Sequence, residues 1–333
     1  MAITRGSRAA TGTGRRVAAA LTCLLAAGTL SGCSSAGSAS PASSGRVGIR
    51  SASANRSTAA RPTTTTLPPT TTTSTVPAQP GWAVLSTRPT GVAVDQRTVT
   101  GSGGATVTVV RFRAGQVHLD LHVGSQDPYA GSSPIGPDAQ PSIAAAETPA
   151  LLAAFNGGFK TTAGAGGFEV NGQVLSPLTA GMASVVLDAA GRPSVGVWGA
   201  GFPAPGASVV SVRQNLPPLV VGGVESASVN VVGAWGATLG GVSDVARSAL
   251  GEDAAGNLLY AASMSALPAD LASALVSAGA VCAMELDINP EWVQLDVAPT
   301  PGGALSTAVP GQNRPADQYR AGWTRDFFTV LAG

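Results

Sequence analysis

Positive side chains other than arginine are nearly missing from this 333-residue chain: one lysine, Lys160, stands against 18 arginines, and the two histidines, His118 and His122, share one short run. Charged residues make up 11% of the sequence and the formal net charge is +1. No basic field is available to hold a nucleic acid, and none is expected as a partner. The three cysteines exclude a scaffold stapled by disulfides, because Cys23 and Cys33 fall in the opening segment and Cys282 is left alone. Cys282 alternates with apolar neighbours and reads as a small core residue. A mechanism built on a histidine base has only two residues to choose from.

What the opening segment does contain is ordered. Arginines at 5, 8, 15 and 16 precede an apolar run from Val17 to Leu30, followed by Ser31, Gly32 and Cys33. That is the order of a secretory signal, and the run is too short to span a bilayer comfortably. Small residues ahead of a cysteine resemble a bacterial lipoprotein signal, with residues 1–32 removed and lipid carried on the Cys33 sulfur. The chain is therefore expected to be exported and held at the outer face of a membrane through Cys33, or secreted. Residues 33–80 are dominated by Ser, Thr, Ala and Pro, as in RPTTTTLPPTTTTSTVP, and offer almost nothing to bury. A disordered tether spanning on the order of 40 Å is expected there.

The foldable part is 81–333, long enough for one sizeable core. TVTVVRF at 106–112 and QVHLDLHV at 116–123 alternate like paired strands around Arg113, Ala114 and Gly115. The segments 184–198 and 248–263 read as hairpins with Gly191 and Gly256 in their turns, and GSGGA at 101–105 reads as another turn. SALPADLASALVSAG at 265–279 signals a helix, with Leu267, Leu271 and Leu275 on one stripe, Pro268 near its start and Gly279 at its end. A weaker helix is indicated at 142–149, cut short by Pro149. A helix feeding the apolar strand VCAMELDIN suggests a crossover, so the expected fold class is α+β or mixed α/β: a twisted mixed sheet with packed helices, forming a single domain after the tether.

Two stretches carry candidate chemistry. In AMELDIN, residues 283–289, a side-chain period of two puts Glu285 and Asp287 on one side and Met284, Leu286 and Ile288 on the other. Ionised carboxylates are not buried without partners, so the acidic side is expected to meet water, a cation or a ligand. In LLAAFNGGFK, residues 151–160, an apolar strand breaks at Asn156, Gly157 and Gly158, where glycines allow a sharp bend and expose amides that could contact an oxyanion or a sugar hydroxyl. Lys160 follows, a compact charge suited to a phosphate oxygen. His118, Asp120 and His122 share a strand face, read as the solvated side of a half-buried strand; His122, next to a turn, is the stronger ligand candidate. Of the tryptophans that could stack on a sugar, Trp292 is the closest in sequence to Asp287.

In chain order, AAFNGGF, GGFEVNGQV, VVLDAAGRPSVGVWG, QNLPPLVVGG, RSALGEDAAGNLLYA and a helix running into AMELD resemble the phosphodiester glycosidase family in its actinobacterial branch, over about residues 105 to 331. The resemblance implies a mixed α/β fold and cleavage of a sugar-phosphate diester at the anomeric carbon. Asn156, Gly157 and Gly158 would sit at the pocket edge, Arg247 with Ser248 would match the family's Arg-Thr/Ser pair, and Asp287 would match the acid of its Asp-Gly-Gly-Ser segment. This chain reads Asp287-Ile288-Asn289-Pro290-Glu291-Trp292 instead, so the acid is kept and its loop is rebuilt.

The residues allow a compatible chemistry. Positive charge developing on the sugar ring needs a carboxylate, Asp287 with Glu285, and the departing phosphate needs cations and amides, for which Arg247, Lys160 and the bend at 157–158 are candidates. Ser248, Asn289, Trp292 and His122 complete the candidate binding set. Two alternatives stay open: Glu285 and Asp287 could bind a divalent cation, calcium or magnesium, or Glu285 could pair with Arg247 to brace the sheet. A cell-envelope glycan or sugar phosphate is the expected partner, turned over by a hydrolase or bound by a non-catalytic relative.

Overall fold

The computed structural model describes residues 81–128, 139–238 and 241–333. The signal segment, Cys33 and the tether lie outside the described residues. The strands, in chain order, are β1 (Ala83–Arg88), β2 (Gly91–Thr100), β3 (Thr106–Phe112), β4 (Val117–His122), β5 (Leu151–Asn156), β6 (Phe168–Val170), β7 (Gln173–Ser176), β8 (Ala183–Leu187), β9 (Pro193–Val197), β10 (Ser211–Gln214), β11 (Val220–Val221), β12 (Val224–Glu225), β13 (Val245–Asp253), β14 (Leu258–Ala266), β15 (Ala280–Glu285), β16 (Leu295–Val297), β17 (Ser306–Thr307) and β18 (Phe327–Ala332). Two α-helices accompany them, α1 (Pro268–Ser277) and the single turn α2 (Gln318–Ala321). Neither is long and apolar enough to cross a membrane.

Three antiparallel sheets result, ordered β1-β2-β3-β14-β13-β15-β11-β12, β7-β6-β10-β8-β9 and β17-β16-β5-β18-β4. The expected helix-packed mixed sheet is therefore wrong, and the fold is mostly β. The reason lies at the crossover. Helix α1 does join two parallel strands, β14 and β15, but β13 lies between them and pairs antiparallel with both. The other misreading is the turn at 113–115, which does not close a hairpin: β3 pairs with β2 and β14, while β4 leaves for another sheet and pairs with β18. The hairpins β8–β9 and β13–β14 form as expected, with Gly191 and Gly256 at positive φ. In place of the helix expected at 142–149 there is one 3-10 turn, Thr148–Ala150.

The main core is shared by all three sheets. Phe112, Tyr260 and Met284 from the first meet Phe155, Leu295 and Phe328 from the third and Phe168 and Val185 from the second. Phe155 is its hub, stacked against Phe112 and Phe328 and tilted against Tyr260. Helix α1 packs on the opposite face of the long sheet, burying Leu271 and Leu275 with Val107, Val109 and Leu259. Burying such side chains stabilises by roughly 1.5–3 kcal/mol each. Asp270 in the first turn of α1 accepts from the Leu267 amide (2.9 Å) and from the Gly103 amide (2.6 Å), so the GSGGA turn is pinned to the helix start. A Cβ on Gly101 would lie 2.5 Å from Asp270 Oδ1, which explains the glycine there.

Candidate functional site

The alternation read from AMELDIN holds, since Met284 and Leu286 enter the main core. The acidic side does not meet solvent at Glu285. Its carboxylate lies 2.7 Å from Arg247 Nη1, and both side chains are fully buried. Arg247 also donates to the carbonyls of Ala266, Trp235 and Ser243. Burial pushes the Glu285 carboxyl up, to about 8, against the opposing pull of Arg247. The pair braces the ends of β13 and β15 and has no access to a ligand.

Asp287, just past the end of β15, is placed differently. It lines a cavity of about 490 Å³ together with Phe159, Lys160, Ile288, Asn289 and Trp292, with Gly233, Ala234, Gly236 and Ala237 also in the lining. Its Oδ1 accepts from the amides of Ile288 (2.7 Å) and Asn289 (2.9 Å), and its Oδ2 lies 3.6 Å from Arg325 Nη2. The rebuilt loop is self-supporting, because Asn289 repeats the device and accepts from the Glu291 amide at 2.9 Å. Burial raises the Asp287 carboxyl to about 7, with Arg325 and the two amides pulling the other way.

The glycine bend serves a different purpose from the one expected. Its amides are not open to a ligand: Gly157 N donates to the Asp326 carbonyl (2.9 Å) and Gly158 N to Asp326 Oδ2 (3.3 Å). Asp326 is held by both Nε (2.7 Å) and Nη2 (3.2 Å) of the fully buried Arg213. Although burial disfavours a charged guanidinium, Asp326 more than offsets it and raises the Arg213 pKa. Arg213 Nη2 also donates to the Phe159 carbonyl, and Asn215 ties the Phe159 amide to the carbonyls of Glu285 and Leu286. The bend and the end of β15 are thereby locked together. A Cβ at Gly157 would lie 1.8 Å from Asp326 Oδ2, so glycine is required by close approach.

Asn156 and Ser248 are brackets behind the cavity. Asn156 Nδ2 donates to Ser248 Oγ (2.9 Å), and Asn156 Oδ1 accepts from Tyr260 Oη (2.8 Å). Ser248 receives the Asp287 amide on its hydroxyl (3.2 Å). His122 sits elsewhere and is not on a solvated face: it is 1% exposed, stacked 4.4 Å from Phe327, with Nε2 near Glu147 (3.0 Å) and Thr329 (3.1 Å). Among the described residues, no group of three or more His, Cys, Asp or Glu side chains that could hold a metal ion gathers anywhere. Glu285 and Asp287, the sequence candidates for calcium or magnesium, are engaged with Arg247 and Arg325 respectively.

The residue missed by sequence reasoning is Arg325. It is 4% exposed, places its guanidinium carbon 4.1 Å from the centre of the Trp292 ring, donates to the Gly158 carbonyl (2.6 Å) and stands 3.4 Å from Asp127. Its Nε and Nη1 make no hydrogen bond. Lys160 Nζ is 5.4 Å from the same Trp292 ring, so one indole carries two cations beside Asp287. Nothing local in GWTRDFF marks Arg325, whose partners come from positions 127, 158, 287 and 292.

Three buried carboxyls, Glu285, Asp287 and Asp296, have pKa values raised to about 8, 7 and 7. In the unfolded chain such groups titrate near 4, so the folded state holds extra protons between that pH and about 7 to 8. Their contribution to stability is complete below about pH 4 and is lost as pH rises through the folded values. Urea denaturation is expected to show the protein more stable at pH 5 than at pH 8 by on the order of a few kcal/mol. Asp296→Asn should flatten part of that slope.

No family model matches the sequence, and no curated protein matches it. Among solved structures, the zebrafish N-acetylglucosamine-1-phosphodiester alpha-N-acetylglucosaminidase catalytic domain, auto-inhibited by pro-peptide, aligns over 76% of this chain and 87% of its own at 13% identity, TM-score 0.45. A hypothetical protein from Synechocystis aligns over 72% of this chain and 62% of its own at 15% identity, TM-score 0.46. These are loose fold likenesses without assignment to a family.

Proposed function

We propose that the chain is an envelope-anchored hydrolase that cleaves a glycosidic bond, with a sugar-1-phosphodiester of a cell-envelope glycan as substrate and lipid on Cys33 as anchor. The observation that carries this reading is Asp287: a buried carboxylate at the wall of a cavity of about 490 Å³, beside an indole face and two cations. A cavity of that size accepts a sugar with its phosphate. The indole of Trp292 offers a flat apolar face to the ring.

In this reading the Asp287 carboxylate faces the anomeric carbon, where positive charge develops as the bond to the phosphate oxygen breaks. Two backbone amides and Arg325 fix its orientation before substrate arrives. The departing phosphate is a weak base and needs no second carboxyl as acid, which agrees with Glu285 being sealed against Arg247. Lys160, exposed at the cavity rim, meets the phosphate charge. Lys160→Ala should therefore raise KM about 10-fold and leave kcat within a factor of about 3, as expected when a charge-assisted contact is lost from substrate and transition state alike.

One observation favours a second reading, a glycan receptor without turnover: both Asp287 oxygens already have partners. Incubating the mature chain with sugar-1-phosphodiesters in oxygen-18 water separates the possibilities. Label in the released sugar supports the proposal. Binding without release indicates the receptor, and label in phosphate indicates a phosphodiesterase that cuts the phosphorus-oxygen bond.

A further inference from the structure

A second cavity, also of about 490 Å³, opens between the long sheet and the sheet that contains β16 and β17. It lies where the main core runs out. Along β2 and β3 the inward-facing positions begin apolar, with Val94, Val110 and Phe112 fully buried. The same side then turns to Gln96, Thr98 and Thr108. Thr98 and Thr108 are directly opposed across the strand pair, and Gln96 faces Val110 one step along. A side-chain period of two keeps these residues on the core side of the sheet, so the change is from grease to hydroxyl and amide within one face. Ser306 and Thr307, on the short edge strand β17, stand across the gap.

The chemistry of this lining is narrow. No ionisable side chain contributes to it. The side chains of Gln96, Thr98, Thr108, Ser306 and Thr307 make no hydrogen bonds with the described residues and are left to solvent: Thr98, Ser306 and Thr307 are exposed, Gln96 is half-buried and Thr108 is 7% exposed, while Gln312 in the same lining is tied to Asp296. Neutral donors and acceptors thus face an open space, with the rings of Pro299 and Pro310 in its lining.

We infer that this inter-sheet groove binds neutral sugar residues, making it a glycan-holding site separate from Asp287. Its lining selects against phosphate and against charged peptide, because nothing there neutralises a charge, and it favours hydroxyl-rich ligands whose groups both donate and accept. The inference stands on β2, β3 and β17 alone and does not need the chemistry assigned to Asp287.

The test uses the mature chain and tetrasaccharides of glucose, mannose, galactose and N-acetylglucosamine at millimolar concentration, followed by calorimetry and by amide NMR shifts. At least one sugar is expected to bind and to move the amides of Thr98 and Thr108. Thr98→Val with Thr108→Val keeps the side-chain shape and removes both hydroxyls, so affinity should fall roughly 10-fold. The thermal midpoint should hold, since neither hydroxyl bonds to the protein, and Lys160→Ala should bind the sugar as the wild type does. Absence of binding by every tetrasaccharide overturns the inference, as does unchanged affinity in the double variant. An extended uncharged peptide that shifts those amides when no sugar does would also overturn it, by making β17 a strand-docking edge.

Discussion

Asp287→Asn will yield a folded protein whose turnover of a sugar-1-phosphodiester is slower by at least on the order of 10³-fold. Asparagine keeps an oxygen for the amides of Ile288 and Asn289, so the loop retains its shape. What it loses is the charge that opposes the developing positive charge on the ring. Folding does not suffer, because the lost carboxylate is one that burial disfavours. The pH profile gives an independent signature. With its carboxyl raised to about 7, Asp287 becomes ionised only as pH rises through neutrality, so wild-type kcat/KM should climb with pH across that range. The residual rate of the variant should not follow that limb. Unchanged kinetics in Asp287→Asn would remove the residue from the mechanism.

The largest effect on folding is expected at the other end of the same assembly. Asp326→Ala strands a fully buried Arg213 with no countercharge within hydrogen-bond reach and takes the acceptor from the Gly158 amide. Removing one partner of a buried pair costs about 3–5 kcal/mol, a large part of the stability of an ordinary domain. The urea midpoint should fall accordingly, and poor expression would report the same loss. Pairing the change with Arg213→Met should recover much of it, since two apolar groups no longer leave a charge in the core. Gly157→Ala should behave like Asp326→Ala for a steric reason, because the added methyl falls on the Asp326 carboxylate. Equal stability of wild type and Asp326→Ala would mean that the pair does not hold the bend.

Local patterns carried the pieces and failed at their assembly. Alternation placed Glu285 and Asp287 on one side of a strand, glycines located the β8–β9 and β13–β14 turns, and leucine spacing found α1. Each of these signals lies within a few residues. The sheet order does not, because β13 enters between β14 and β15 from elsewhere in the chain, and no period in the helix or in AMELD announces it. The site was legible to the same degree. Asp287, Lys160, Asn289 and Trp292 were found from one stretch each and do share a cavity. Arg247, chosen for the phosphate, is sealed against Glu285, while Arg213 and Arg325, which frame the bend, gain meaning only through partners distant in sequence, Asp326 for the one and Gly158 and Asp287 for the other. The amides of Gly157 and Gly158 look available in sequence because Asp326 is so distant.

Strand β18 lies between β5 and β4 in its sheet, and Arg325 and Asp326 come immediately before it. Because β18 pairs with β5 on one edge and with β4 on the other, and Asp326 just ahead of it accepts from the Gly157 amide, peeling β18 away would open two strand edges and free the glycine bend in one step. The wall of the cavity beside Asp287 is thus coupled to the seating of a single central strand.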